Sequence, residues 1–136
     1  MTPPRPPAGH ELVLQTRGFG SQIYECQANG TWAFRAPFAS VTEQFSGRVI
    51  RHYGAIDAPG AFAGPGPIWQ SIADGSAVRG RVIASVPNPG SIPLLLLDIA
   101  EYQGSGMMRD VSYIVRDNTV GGVAPTGSCS PGTRQG

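Results

Sequence analysis

The chain holds two imidazoles, His10 and His52, and only His52 lies inside a stretch patterned like a strand. A histidine is the side chain best suited to general acid or base work near neutral pH, and it can activate a serine or cysteine within hydrogen-bond reach. Ser71, Ser76, Ser105 and Ser112 are all available to it, yet none sits in the G-x-S-x-G frame of a nucleophile elbow, so no one of them stands out. Tyr24 is a second group able to act as a modest acid or base. All ten cationic side chains are arginines, which excludes Schiff-base catalysis by lysine. Cys26 has two competing readings, as a nucleophile or as half of a disulfide with Cys129. The disulfide is the better one, because Cys129 follows a turn-rich segment free to fold back.

Other chemistries find less support. A metal site would draw on two histidines, one of them in the opening tail, and on two cysteines about 100 residues apart with no C-x-x-C pair. The glycine-rich stretches contain neither G-K-[ST] nor a G-x-G-x-x-G opening a helix after a strand. No metal and no cofactor are therefore expected. Glu25, Asp74, Asp98 and Glu101 are the carboxylates nearest the expected core, and a buried carboxylate needs a cation or several donors to stay charged. Arg116 is the expected ion-pair partner of Asp98 or Glu101, and Asp74-Gly75 is explained by turn geometry.

These groups need elements to position them. The chain has 136 residues, enough for one core, and its 19 Gly and 13 Pro favour short strands joined by turns. Residues 1–9, MTPPRPPAG, read as a disordered Pro-rich tail, 10–129 as the folded domain, and 130–136 as a second disordered tail. Strands are expected over 11–16, 21–27, 31–35, 47–53, 68–72, 77–86, 91–102 and 109–116, with type I′ geometry at Asn29-Gly30 and a second hairpin turn at Asp74-Gly75. In 47–53, Val49, Arg51 and Tyr53 alternate with Ile50 and His52 on the opposite face. Residues 54–67, GAIDAPGAFAGPGP, hold too many breakers for regular structure and form a candidate lid. The expected fold is all-β, a single compact antiparallel barrel or sandwich of about seven or eight strands.

Ten Arg against nine carboxylates leave no net field to attract a phosphate backbone, so nucleic acid is not an expected partner. The longest apolar run, Leu94 to Leu97, is far short of the roughly 18 residues that cross a bilayer, and no membrane insertion is expected. The opening residues lack the apolar core of a signal peptide, so the location is cytoplasmic if Met1 is the native start and secreted otherwise. The oligomeric state is not legible.

An ordered series of residues resembles domain-of-unknown-function family 3455, a bacterial and fungal group. It runs through Gln22-Ile23-Tyr24-Glu25-Cys26, Trp32, Phe34, Ala36-Pro37, Gly47, His52-Tyr53, Gly66-Pro67 with Trp69, and Asp74-Gly75-Ser76. It continues through Ile92-Pro93 and its leucines, Gly104-Ser105-Gly106, Tyr113-Ile114 with Arg116, Asn118-Thr119, Gly121-Gly122, Ala124-Pro125 and Cys129. The resemblance implies a compact β domain, often exported, with no established activity, and it supports the Cys26 to Cys129 pairing. Three departures stand out. The family's Trp-Glu is Trp69-Gln70 here, its Pro-Trp-Leu-Leu is Pro93-Leu94-Leu95-Leu96, and the link 54–67 is longer.

Two readings of function follow. In the first, His52, Tyr53 and Trp69 line the mouth of a barrel with Trp32 and Leu94, the 54–67 loop covers it, and a small hydrophobic molecule binds inside. A cofactor-free cyclase or isomerase with His52 or Tyr24 as acid or base is the enzyme such a cavity could support. In the second, the chain is a non-catalytic secreted or envelope domain held by its disulfide. A cytoplasmic location would tend to keep both thiols reduced.

Overall fold

The alternating strands find their partners in sequence order. The structure is a computed structural model describing residues 1–136, and it forms one antiparallel sheet of eight strands. These are β1 (Thr16–Cys26), β2 (Trp32–Glu43), β3 (Val49–Gly54), β4 (Pro67–Ser71), β5 (Ala77–Val86), β6 (Leu94–Gln103), β7 (Tyr113–Arg116) and β8 (Arg134–Gln135). The spatial order is β7-β6-β5-β4-β3-β2-β1-β8, a meander in which only β8 returns across the chain to pair with β1. Two 3-10 turns, Ala55–Asp57 and Met107–Asp110, are the remaining regular elements. The sheet is curled but not closed, since β7 and β8 keep free edges.

Curling lets one face pack on itself. Ile50 and Val78 are buried there with Met108 and Val111, and Val41, Trp69, Ile99, Tyr102 and Ile114 pack around them from β2, β4, β6 and β7. Leu14, ahead of β1, joins the same cluster. The opposite face carries a smaller cluster of Tyr53, Ile68 and Ala77, covered by Ala55, Ala58 and Phe62 from the 54–67 loop. Close packing on the inner face depends on Gly80, where a Cβ would stand 2.7 Å from the Trp69 ring and 3.1 Å from Leu97.

The structure revises several local expectations. Residues 11–15 are not a strand, and β2 runs on to Glu43 through Pro37, which stands beside a bulge at Ile23/Tyr24 where the ladder is already irregular. At Asn29-Gly30 only Gly30 has a positive φ, at 78°. The turn is instead bonded from Gly30 N–H to Gln27 O, with Asn29 Oδ1 accepting from the Thr31 amide and hydroxyl, a type I turn followed by a left-handed glycine. Residues 109–112 also leave the strand pattern. Asp74 Oδ2 accepts the Met107 N–H at 2.9 Å and Ser76 Oγ accepts the Met108 N–H at 3.1 Å, which winds that segment into a turn. Asp74 therefore does more than shape its hairpin. Hydrogen bonds from Ser76 and Met107 hold its carboxyl down to about 2.

The seam between the two ends of the sheet is bridged by 117–133. Thr119 Oγ1 donates to Ile92 O, Asn88 donates to Thr119, and Tyr24 Oη donates to Gly122 O at 2.6 Å. Beyond it, Cys129 is joined to Cys26 with the Cα atoms 5.8 Å apart. Cys26 also donates its N–H to Thr133 O and accepts from Gly132 N–H, and these bonds deliver Arg134 and Gln135 to the edge of β1.

The bridge closes a separation of 103 residues, and in the chain-entropy treatment a loop of about 100 residues is worth roughly 4 to 5 kcal/mol. The double variant Cys26→Ala/Cys129→Ala is expected to lose about that much in urea unfolding relative to the oxidised protein. A loss below about 1 kcal/mol would show that the backbone bonds around Cys26 suffice alone.

Candidate functional site

Alternation along β3 separates the residues that the sequence grouped as one mouth. His52 faces the inner side, where its ring stacks on Trp69 with centroids 4.3 Å apart and planes 18° apart. Its Nδ1–H donates to Ile68 O at 2.9 Å, which fixes the tautomer. Tyr53 faces the other side, in the cluster under the loop, and its hydroxyl donates to Gln70 Oε1 at 2.9 Å. The structure thus brings His52 and Trp69 together and places Tyr53 across the sheet from them.

The other expected residues disperse as well. Leu94 is 1 % exposed at the start of β6 and is enclosed in packing instead of lining a mouth. Trp32 pairs with Cys26 at the disulfide end of the β1–β2 ladder. Tyr24 stands edge-on to Phe34 and spends its proton on Gly122 O. Arg116 pairs with neither Asp98 nor Glu101. It donates twice to Pro93 O, while Arg81 holds Asp98 at 2.8 Å and Arg79 holds Glu101 at 3.1 Å, because those arginines lie directly opposite in the β5–β6 register.

The 54–67 loop is fastened over the outer face. Ala63 N–H donates to the Glu101 carboxylate at 2.9 Å, Gln103 donates to Ala61 O, and Arg79 donates to Pro65 O at 3.0 Å. Gln70 accepts from Tyr53 and donates to Gly75 O. An ionised carboxylate could accept the first bond but not make the second.

Electrostatics on the inner face favour neutral groups. Burial, aided by the charge of Arg116, lowers the His52 pKa to about 4 against the opposing bond to Ile68. Burial also raises the Tyr24 hydroxyl, partly offset by Arg116, and the same burial lowers Arg116. Near neutral pH His52 is a neutral, weak base and Tyr24 is protonated. Gln22 Oε1 is buried there without a hydrogen-bond partner.

A groove of about 570 Å³ lies on the outer face instead, across β1, β2 and β3. Ile23, Phe38 and Tyr53 form its apolar floor, Asp57 and Ala58 of the loop form one wall, and Arg134, Gln135 and Gly136 of the C-terminal segment form another. Arg35 and Arg51 complete the lining. Register explains the floor, since Phe38 stands directly opposite Tyr53 on one side and Ser21 on the other. Arg35 reaches the groove because the β1–β2 ladder is shifted beside it, which turns it outward to Glu25 and Asp57. A smaller hollow of about 260 Å³ continues from Phe38, Arg51 and Tyr53 toward Phe19. Phe38 and Phe19 are 64 % and 72 % exposed, an unusual state for phenylalanine. Of the expected site residues only Tyr53 lines the main groove. The pairing of Arg51 with Tyr53 on one face of 47–53 was the available signal.

With this β architecture and groove in view, the class is that of a small disulfide-linked β domain. The chain matches the family model described as protein of unknown function (DUF3455) over residues 7–135, and it belongs to that family. No match was found to a curated protein or to a solved structure.

His52 provides a pH test of the inner face. Its folded pKa lies below the unfolded value near 6.5, so its contribution is complete above that value and is lost as pH falls toward about 4. Between pH 7 and pH 5 the stability should drop by about 2 kcal/mol, before the carboxylates titrate. His52→Phe should remove most of that drop, as read by urea unfolding at the two pH values. An equal drop in both proteins would mean that His52 is solvated.

Proposed function

We propose that this domain binds a small hydrophobic molecule in the outer groove. The observation that carries the reading is the floor of Ile23, Phe38 and Tyr53 within a groove of about 570 Å³, a size in the range of ligand sites. The exposed ring of Phe38 on this floor gains by being covered, at about 25 cal/mol per Å². The same reading takes the domain as a holder of its ligand more than as a converter. The main groove is lined by no histidine, serine or cysteine, while Ser21, Ser40 and His52 border the adjoining hollow, and Asp57 is engaged by Arg35. A cyclase or isomerase acting through His52 and Tyr24 would need a substrate to enter the inner face, where His52 is a weak base and stacked on Trp69.

The Cys26–Cys129 bond favours a domain that works in an oxidising compartment, as the exported reading requires. No helix is long and apolar enough to cross a membrane.

A neutral fluorescent probe such as 1-aminoanthracene tests the site. It should bind the native protein with enhanced emission, and Phe38→Ala should weaken it about tenfold with an unchanged melting temperature, because Phe38 is exposed and supports little of the core. Unaltered binding by Phe38→Ala, or no binding by the native protein, would place the reading in error.

A further inference from the structure

We infer that the domain forms a two-fold dimer in which the free edge of β1 pairs antiparallel with β1 of a second copy, with Phe19 on the dyad. This goes beyond the binding reading and does not depend on it. β8 pairs with β1 only at Tyr24 and Glu25, and the pairing stops at Gln135, with Gly136 resting against the Ser21 and Ile23 side chains. The rest of β1 has β2 on one side and no strand on the other. Thr16 through Ser21 are all exposed. That stretch holds one charge, Arg17, and no proline, so it lacks most of the devices that keep a sheet edge from pairing.

Backbone bonds at the two ends of β1 fix which residues face the open side. Gln15 O accepts from Gln44 N–H and Gln27 N–H donates to Thr31 O, so odd-numbered residues bond toward β2. Cys26 bonds to Gly132 and Thr133 on the other side, so even-numbered residues face the edge. The bulge at Ile23/Tyr24 places its extra residue, Arg35, in β2, and alternation along β1 is unbroken. Thr16, Gly18, Gly20 and Gln22 therefore present N–H and C=O groups that no strand of the chain takes up. A copy of β1 that uses all four must be centred midway between them, on Phe19. Thr16 then exchanges bonds with the partner's Gln22, and Gly18 with the partner's Gly20, each pair recurring through the two-fold.

Side chains select a second copy over an unrelated strand. On the dyad Phe19 occupies a position without ladder bonds, where opposed residues come closest, about 4.5 Å between Cα atoms, so the two Phe19 rings meet. Phe19 is exposed in the single chain, next to exposed Phe38 in the hollow of the outer face. Pairing joins these rings and their symmetry mates into one apolar strip across the dyad. Arg17 falls opposite the partner's Ser21, so no like charges are opposed. The two Arg17 residues stand about 14 Å apart along the strands, beyond the screening length of about 8 Å at physiological salt. Gly18 and Gly20, flanking the dyad, carry no side chain to hold a second backbone away. The other edge, β7, is four residues long and has His10 edge-on to Tyr113.

Sedimentation equilibrium on the full chain tests the pairing. The native protein should have the mass of two chains at about 100 μM and shift toward the monomer on dilution. Phe19→Lys and Phe19→Glu each set like charges against each other on the dyad and should be monomeric at that concentration, with an unchanged melting temperature because Phe19 is exposed. An equimolar mixture of the two variants should recover the dimer, since opposite charges then face each other. A monomeric native protein would overturn the inference and leave the edge to a strand of another protein. Either variant remaining dimeric alone, a mixture that stays monomeric, or native particles growing beyond two chains would overturn it equally.

Discussion

The attachment of the C-terminal segment at Cys26 is the constraint on which the outer groove depends. A sheet laid down in sequence order leaves its first strand at an edge, and β1 is covered only because the chain returns to it after Cys129. The covalent bond and the two backbone bonds of Cys26 act at one point, so the returning chain has its register set before it reaches Arg134. From that register follows the placement of Arg134 beside Glu25, and Glu25 in turn holds Arg35. That wall of the groove descends from this anchor.

The two faces of the sheet have different physical characters. On the inner face burial disfavours charge on His52, whose ring lies against Trp69, with the indole laid over Gly80. The outer face uses ionised pairs at partly exposed positions, such as Arg79 with Glu101 and Arg35 with Asp57. Such pairs add little net energy where water screens them, but they fix direction. Here they fasten the 54–67 loop, whose alanines and glycines have few side-chain contacts of their own with which to hold a position. The loop is a cover for Tyr53, Ile68 and Ala77, and its edge is a wall of the groove.

Much of the fold was legible because alternation and turn residues speak locally. The limits of β5 agree with its pattern of residues from Ala77 to Val86, and β3 and β4 begin and end within two residues of theirs. The cysteine pair was also legible, through the turn-rich segment before Cys129 and the family resemblance. What local pattern could not supply were contacts between distant side chains and backbone. Residues 109–112 read as strand until Asp74 and Ser76, more than thirty residues earlier, take up the amides of Met107 and Met108 just ahead of them. The residues expected at one mouth are dispersed for a related reason. His52 and Tyr53 are neighbours in the chain, yet period-two alternation sends them to opposite faces, and the pattern that revealed the strand already separated them. The pairing of Arg35 and Arg134 with Glu25 had no motif to announce it, since only the assembled sheet brings the three together.

The meander order has a consequence for how the chain acquires its structure. Each of the first seven strands pairs with its neighbour in sequence, so the sheet can grow hairpin by hairpin with short loops to close. The pairing of β1 with β8 is the exception, for it must wait until nearly the whole chain is present. During synthesis β1 would therefore emerge with one edge bare, and Cys26 with it, long before Cys129 is made. The last strand to arrive is also the shortest, two residues, and it covers only the Tyr24 and Glu25 end of the β1 edge. A chain built this way gains from an oxidant that acts late, after the meander has formed, and it is most vulnerable to aggregation in the interval before that bond closes.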